Sequence, residues 1–292
     1  MVPSRFDVWA QPVMSAPSLT VLATPIGNLE DLSPRAAEAL IQADLVACED
    51  TRRTRVLTDH AGSRAELIAF HQHNEAERAD GLIRRITDGA RLVLVSDAGT
   101  PAVSDPGARL VDAAHRAGIA VISIPGPSAV TAALAAAGFG GDRFAFVGFF
   151  PRAKGTLNSL LDDYDRLGIP LVGFESPRRV GSLLAALADR EPAREAVICR
   201  ELSKLYEETA RDTVAELAAR FADGARGELT IVLAPTGLTT DDPDLTPALQ
   251  LMNAEGVRPR TAAKVIAALG VASRNAAYQA ALETAEADPD GP

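Results

Sequence analysis

Leu19-Thr20-Val21-Leu22-Ala23 runs straight into Thr24-Pro25-Ile26-Gly27-Asn28-Leu29. The first stretch is an apolar run of strand length, and the second holds the Pro and Gly that stop it. The same arrangement recurs three times. Arg91–Val95 leads into Ser96-Asp97-Ala98-Gly99-Thr100-Pro101. Ile119–Ile124 leads into Pro125-Gly126-Pro127-Ser128-Ala129, and Leu171–Phe174 into Glu175-Ser176-Pro177-Arg178-Arg179. Open α/β sheets bind ligands beyond the carboxyl ends of their strands. Gly and Pro there let the backbone turn sharply and approach a ligand closely. Four such turns point to one large ligand site built mostly from main chain.

Further strand-like runs lie at Leu45–Cys48 and Leu67–Phe70. Helical patterns lie between the strands at Pro34–Ala43, Thr51–His60, Glu75–Asp88 and Pro106–Ala117. This alternation predicts a mainly parallel sheet with helices on both faces. Ser33-Pro34, Asp105-Pro106 and Ser176-Pro177 each place a capping side chain before a Pro at the first helical position. Ser128 is a further candidate cap, for an Ala-rich helix to Ala137 that Gly138, Gly140 and Gly141 end. Beyond it come strand-like runs at Arg143–Phe149, Ala196–Cys199 and Leu229–Ala234, with helices at Thr156–Leu167, Pro177–Ala188 and Thr213–Phe221. The second half is therefore again α/β, with room for antiparallel pairing.

The expected organisation is a disordered leader at 1–17, with Met14 a candidate start. Two α/β domains follow at 18–127 and 128–236, then an acidic linker at 237–252. A small helical segment at 253–285, broken at Gly270, and a disordered end at 286–292 complete the chain.

The chain has 292 residues and a net charge of −10, which argues against a general nucleic-acid coat protein but leaves room for local basic faces. Cys48 and Cys199 fall inside strand-like runs and read as buried free thiols, as in a reducing cytoplasm. No apolar run reaches the roughly 18 residues that a membrane span needs, and residues 1–17 hold no secretory apolar core. The dinucleotide and P-loop glycine fingerprints are absent, as are paired-cysteine and zinc-protease motifs and the hydrolase nucleophile elbow. His71 and His73 share one side of a strand, but no matching cluster accompanies them, so no metal is expected.

Seven segments occur in a telling order. They are Thr24–Leu29, Glu49-Asp50-Thr51-Arg52, His71-Gln72-His73-Asn74-Glu75, Ser96–Pro101 with Ser104-Asp105-Pro106-Gly107, Ile124–Ala129, Glu175-Ser176-Pro177, and Arg200-Glu201-Leu202-Ser203-Lys204. In this the chain resembles the ribosomal RNA small subunit methyltransferase I family. That family is similar in fold to the tetrapyrrole (class III) methyltransferases. The resemblance spans about Leu19 to Ala234. It implies two α/β domains with an interdomain cleft for S-adenosylmethionine, and a cytoplasmic homodimer. The implied reaction is methylation of a cytidine ribose 2′-hydroxyl in the decoding region of 16S rRNA, within the small ribosomal subunit. A rival reading, a class III enzyme acting on a tetrapyrrole or other small acceptor, shares the cleft but would not need the arginine clusters. A non-catalytic nucleotide-binding module would not need the polar sets at Glu49–Arg52 and His71–Glu75.

The resemblance carries over to residues as follows. Pro25, Ile26, Gly27 and Asn28 line the cleft floor. Gly99-Thr100-Pro101 stands where the class has Gly-Asp-Pro, so Thr100 and Val103 are expected contacts, with Thr100 replacing the acid. Ser128 and Ala129 match a segment near the cofactor, and Phe174 one beside the adenine. Asp97, Pro127 and Glu175 complete the cofactor set. Asp50, beside Glu49, reads as a general base or ribose-orienting group, or as the cap of the helix starting at Thr51. Arg52, Arg53 and Arg55 could bind phosphate or form a solvated helix face. His71 and His73 could accept a hydroxyl proton or be hydrogen-bonded structural histidines. Arg152, Lys154, Arg178, Arg179, Arg200 and Lys204 are the second domain's candidate RNA contacts. Arg258, Arg260, Lys264 and Arg274 make the tail either an RNA arm or a helical cap.

Overall fold

The computed structural model describes residues 16–236, 245–268 and 274–286. In the first half, the strands are β1 (Ser18–Leu22), β2 (Leu45–Cys48), β3 (Glu66–Ala69), β4 (Arg91–Leu94) and β5 (Val121–Ile124). All pair in parallel, in the order β3-β2-β4-β1-β5. The connecting helices are α1 (Pro34–Gln42), α2 (Thr51–Ala61), α3 (Glu75–Thr87) and α4 (Ala108–Arg116).

Strand side chains alternate between two cores, as the period of two requires. Leu22, Val46, Cys48 and Val93 pack under α1 and α2, against Ala36, Ala39, Leu40 and Leu57. Leu19, Leu45, Ala47, Leu92 and Leu94 pack on the other face, against Ala79, Leu82 and Ile86 of α3 and Leu110 and Ala114 of α4. Continuous apolar strands are what a sheet covered on both faces needs.

The second sheet comprises β6 (Ala145–Phe149), β7 (Leu171–Glu175), β8 (Glu195–Arg200), β9 (Glu208–Thr213) and β10 (Leu229–Leu233). Its order is β6-β7-β10-β8-β9, with β6 parallel to β7 and the other pairs antiparallel. Helix α5 (Ala129–Ala137) lays Val130, Ala133, Leu134 and Ala137 on Val172, Val197, Cys199 and Val232. The remaining helices of this half are α6 (Lys154–Asp165), α7 (Val180–Ala188) and α8 (Val214–Arg220). Cys48 and Cys199 are buried and unbridged, as their strand positions implied.

The two sheets belong to one compact unit; Leu160–Ile169, which includes the end of α6, and the C-terminal helices belong to another. The second unit contains α9 (Thr246–Ala254), α10 (Pro259–Ala268) and α11 (Arg274–Glu286), around Leu249, Ala262, Ala263, Ile266, Ala277 and Ala281. Of the expected linker, residues 237–244 lie outside the described residues. From Thr246 the chain is helix, because Leu249 joins the apolar cluster. The expected leader lies almost wholly outside the described residues, as do Gly270 and residues 287–292.

Strand β9 was not legible as a strand. Its sequence, Glu208-Thr209-Ala210-Arg211-Asp212-Thr213, is polar because it is an edge strand with Ala210 buried. Cross-strand ion pairs hold it to β8: Arg200–Glu208 at 2.7 Å and Arg211–Glu195 at 3.1 Å.

The helix starts divide in a similar way. Ser33 Oγ accepts from Ala36 N–H at 3.1 Å, as a cap should. Ser128 occupies the cap position of α5 without a side-chain bond. Helix α4 starts only at Ala108, after Gly107 at φ 134°. Glu75 of α3 caps it instead, accepting Gly107 N–H at 3.2 Å and pairing with Arg109 at 3.3 Å. Helix α7 starts at Val180 rather than Pro177, because residues 176–179 first make a turn onto the Ser176 carbonyl. Replacing Glu75 with Ala should cost about 1–2 kcal/mol in urea unfolding. The Gly107 amide should then lose hydrogen-exchange protection before the sheet does.

Candidate functional site

β1 and β4 are neighbours, but α1 covers one face of the sheet and α4 the other. Connections that depart to opposite faces open a crevice at the strand ends. Its floor is braced by a two-residue backbone bridge. Thr24 N–H donates to the Gly99 carbonyl at 2.9 Å, and Gly99 N–H returns a bond to Thr24 at 3.1 Å. Thr24 Oγ1 adds a bond to the Ser96 carbonyl at 3.3 Å.

Beyond Gly99 the loop is strained: Ala102 has φ 67° and Ser104 φ 62°. Side chains in that region cost about 1–3 kcal/mol each. The loop brings Thr100, Val103, Ser104 and Asp105 to a cavity of about 420 Å³. The opposite wall holds Ser128 and Ala129 of α5, Phe149, Phe174 and Glu175 of the second sheet, and Gly227–Thr230. This volume lies in the usual range for a small-molecule site.

Carboxyl groups dominate the polar lining. Burial pushes Glu49 above the ordinary carboxyl range, and the charges of Asp105 and Asp97 push it further. Its Oε1 is buried with no hydrogen-bond partner. Burial also raises Asp105, against the opposing hydrogen bond from Ser96, with Asp97 adding repulsion. Asp97 accepts Asp50 N–H at 3.1 Å and faces Arg53 at 3.3 Å. Glu175 has a fully buried side chain that accepts Ser176 N–H at 2.6 Å. Arg179 Nη2 stands 3.0 Å from its other oxygen, off the hydrogen-bonding direction, and donates to the Phe150 carbonyl at 3.2 Å.

Of the expected cofactor residues, Ile26, Asp97, Gly99, Thr100, Val103, Ser128, Ala129, Phe174 and Glu175 line the cavity, and Pro25, Gly27, Asn28 and Pro127 do not. Asn28 instead accepts Glu30 N–H at 3.1 Å and caps a short 3-10 helix at Leu29–Asp31. Of the expected catalytic residues, Glu49 alone lines the cavity. Asp50 caps α2 by accepting Arg52 N–H at 2.8 Å, and Arg52, paired with it at 2.9 Å, holds its carboxyl at about 2. His71 and His73 follow β3, the edge strand beyond β2, which sets them aside from the β1–β4 crevice. There His71 N–H donates to Asn74 Oδ1 at 2.8 Å, closing the turn into α3.

The expected RNA contacts divide by pairing. Arg53 borders the cavity, and Arg52, Arg55, Arg152 and Arg178 are exposed. Lys154 pairs with Asp189 at 2.9 Å on the surface. Arg179, Arg200 and Lys204 are held in ion pairs with Glu175, Glu208, and Glu201 with Glu228. Asp105, Ser104, Phe149 and Gly227–Thr230 line the cavity without having been singled out as ligands. Asp105 read as a cap, and a strand phenylalanine carries no motif.

Gly27 serves the joint between the sheets. A Cβ there would strike the Lys204 side chain and sit 2.8 Å from the Leu202 carbonyl. Nearby, Ser203 Oγ donates to Asp31 at 2.6 Å. Lys204 Nζ donates to Glu201 and Glu228, each at 2.9 Å, and Glu201 also accepts Glu228 N–H at 2.8 Å. This network holds Glu201 and Ser203 at φ 52° and 65°.

The family model for tetrapyrrole (corrin/porphyrin) methylases matches residues 18–218. Ribosomal RNA small subunit methyltransferase I of Mesorhizobium japonicum is 41% identical over 278 residues, 94% of this chain and 95% of that protein. The chain belongs to the ribosomal RNA small subunit methyltransferase I family of tetrapyrrole methylases. The protein of the same name from Mycobacterium bovis is 41% identical over 276 residues, 93% of this chain and 96% of its own. The fold recurs in uroporphyrin-III C-methyltransferase from Thermus thermophilus complexed with S-adenosylhomocysteine. That match has a TM-score of 0.53 at 20% identity, over 74% of this chain and 96% of the other. The two-sheet α/β fold and the family expected from the motifs both stand, and the chain is a methyltransferase.

Replacing Gly27 with Ala should spread the contact between Gly27 and the Leu202–Lys204 loop. The expected result is a melting temperature lowered by several degrees, as for a loss of about 1–3 kcal/mol. Proteolytic cutting within residues 201–207 should also rise.

Proposed function

We propose that this chain transfers a methyl group from S-adenosylmethionine to the ribose 2′-hydroxyl of a cytidine in the decoding region of 16S rRNA, within the small ribosomal subunit. The observation that carries the reading is the cavity at the β1–β4 crevice, with an unpartnered Glu49 oxygen on its wall. Three carboxyl groups, from Glu49, Asp97 and Asp105, suit a cationic donor, and the aromatic rings of Phe174 and Phe149 suit flat heterocycles. The acceptor follows from the resemblance and from the named substrate of the relatives. Exposed Arg55, Arg152 and Arg178 give phosphate contacts at local points of an acidic protein. Exposed Arg258, Arg260 and Lys264 on the helical unit add an RNA-binding arm. Among the described residues no helix is long and apolar enough to cross a membrane. We read the enzyme as a cytoplasmic homodimer.

The donor supplies a methyl group already activated by a positive sulfur. The protein's main task is therefore positioning, which contributes up to about 7–11 kcal/mol. A general base adds roughly 3–5 kcal/mol. Positioning falls to the braced Thr24–Gly99 floor and the strained Thr100–Asp105 loop. The base is Glu49. Its raised pKa makes it a stronger proton acceptor than Asp50, which Arg52 holds acidic. Glu49 would take the hydroxyl proton as the sugar oxygen bonds the methyl carbon and the carbon–sulfur bond breaks, its electron pair leaving with sulfur as the neutral thioether S-adenosylhomocysteine.

Labelled S-adenosylmethionine and small subunits should give label in 16S rRNA at a cytidine ribose. Label found only in a porphyrin precursor would overturn the reading.

Replacing Glu49 with Gln should lower kcat by about 10²–10⁴-fold, measured with the donor at saturation. The parent's activity should fall on its acid side at a pH above the ordinary value of 4.5. The stability sign is opposite. A carboxyl whose folded pKa is raised stabilises the fold below its unfolded pKa and loses that contribution as pH rises through the folded one. The Gln variant should therefore melt higher than the parent at neutral pH.

A further inference from the structure

Two aromatic rings line the cavity among the described residues. Phe174 is half-buried, whereas Phe149 is 59% exposed. An irregularity in β6 aims Phe149 outward. The strand pairs Phe146 with Val172 and then Phe149 with Phe174, so β6 carries one extra residue. Gly148 takes up the bulge at φ 67°. Phe174 backs the ring edge-on, at 5.7 Å and 66°, and Phe146 backs Phe174 at 5.0 Å and 65°. Phe149 is thus held from behind by an aromatic stack and open in front.

The first sheet meets it with a matching device. A Cβ on Gly148 would sit 3.4 Å from Ser104 Oγ, so the bulge stands against the strained loop. Between the two left-handed residues of that loop, Ala102 and Ser104, lies Val103, a cavity residue that is 46% exposed. Two apolar side chains, from opposite sheets, therefore frame the mouth, and both rest on irregular backbone. Leaving a phenyl ring in water gains no stability for the fold. A ring that a bulge holds there is suited to a flat partner arriving from solvent.

We propose that Phe149 is the platform on which the acceptor nucleotide's base stacks, holding it splayed from the RNA while its ribose reaches the cavity. This rests on the RNA acceptor proposed above. Proteins that handle single nucleotides of RNA commonly splay the base onto an aromatic ring. Stacking tolerates any base, because every base has a π-face. Phe149 therefore holds the nucleotide without choosing cytidine. Phe174, deeper in the wall, remains for the donor's own ring.

The test compares F149A, F149L and F149W with the parent, using S-adenosylmethionine and small ribosomal subunits. Because the side chain is exposed, all three should melt near the parent. F149A and F149L should raise KM for the subunit about tenfold. F149W should stay within about twofold, and calorimetric affinity for S-adenosylmethionine should change less than twofold in all three. If F149L matches the parent, the ring is unnecessary and the proposal fails. It also fails if F149A weakens donor binding while KM for the subunit holds. A parent protein that cannot methylate small subunits sinks the acceptor reading and this one with it. A parent that methylates beside an unimpaired F149A sinks the stacking alone.

Discussion

The bridge between Thr24 and Gly99 ties the loops that leave β1 and β4. Those strands are adjacent, and their helices lie on opposite faces of the sheet. Left untied, such loops would diverge and the crevice would widen into a surface. Two backbone bonds and the Thr24 hydroxyl close that gap from below. Thr24 and Ser96 are buried polar residues whose hydrogen bonds are made there, so the floor has no unmet polar demand at those hydroxyls. With the floor tied, the strained loop from Thr100 to Asp105 can carry side chains toward the second sheet. The shape of the cavity and the approach of its raised carboxyl groups to the second sheet depend on this.

The second constraint is charge. The net charge is −10, and five acidic residues, Glu49, Asp97, Asp105, Glu175 and Glu228, line the cavity. Several basic residues that suggested RNA contacts are occupied inside the protein. Arg179 offsets the buried Glu175, and Lys204 gathers Glu201 and Glu228 at the joint between the sheets. A buried carboxylate without its partner is costly, so these cations stabilise the cavity's second wall. The exposed cations Arg55, Arg152 and Arg178 lie on a helix start and on loops. Gly27 belongs with the joint too: what its missing side chain permits is the approach of another segment of this same chain.

Much of the site was legible in order but not in role. The turns after β1, β4, β5 and β7 converge, as strand-end logic requires, and nine of the thirteen residues expected to meet the cofactor line one cavity. The polar residues expected to be catalytic separated instead. Glu49 and Asp50 are adjacent in sequence, yet one faces the cavity and the other caps a helix beneath Arg52. Neighbouring residues at a strand end point in opposite directions, and which one points inward depends on the register of the sheet. His71 and His73 looked catalytic beside Asn74 and Glu75. Strand order put them at the sheet edge, and Asn74 and Glu75 went to closing the turn and capping α4.

Sequence alone determined the alternation of strand and helix, the parallel first sheet, the Gly/Pro turns at strand ends and the family. The first three follow from local periodicity and from residues whose backbone freedom is special, which a chain displays without folding; the family follows from the resemblance that seven ordered motifs carry. Tertiary structure decided the strand order, the polar edge strand β9, and which acid is buried and which is paired. It also decided that Phe149 faces water across from Val103. Each of these depends on what lies opposite a residue in space, and residues far apart in the chain supply that opposite surface.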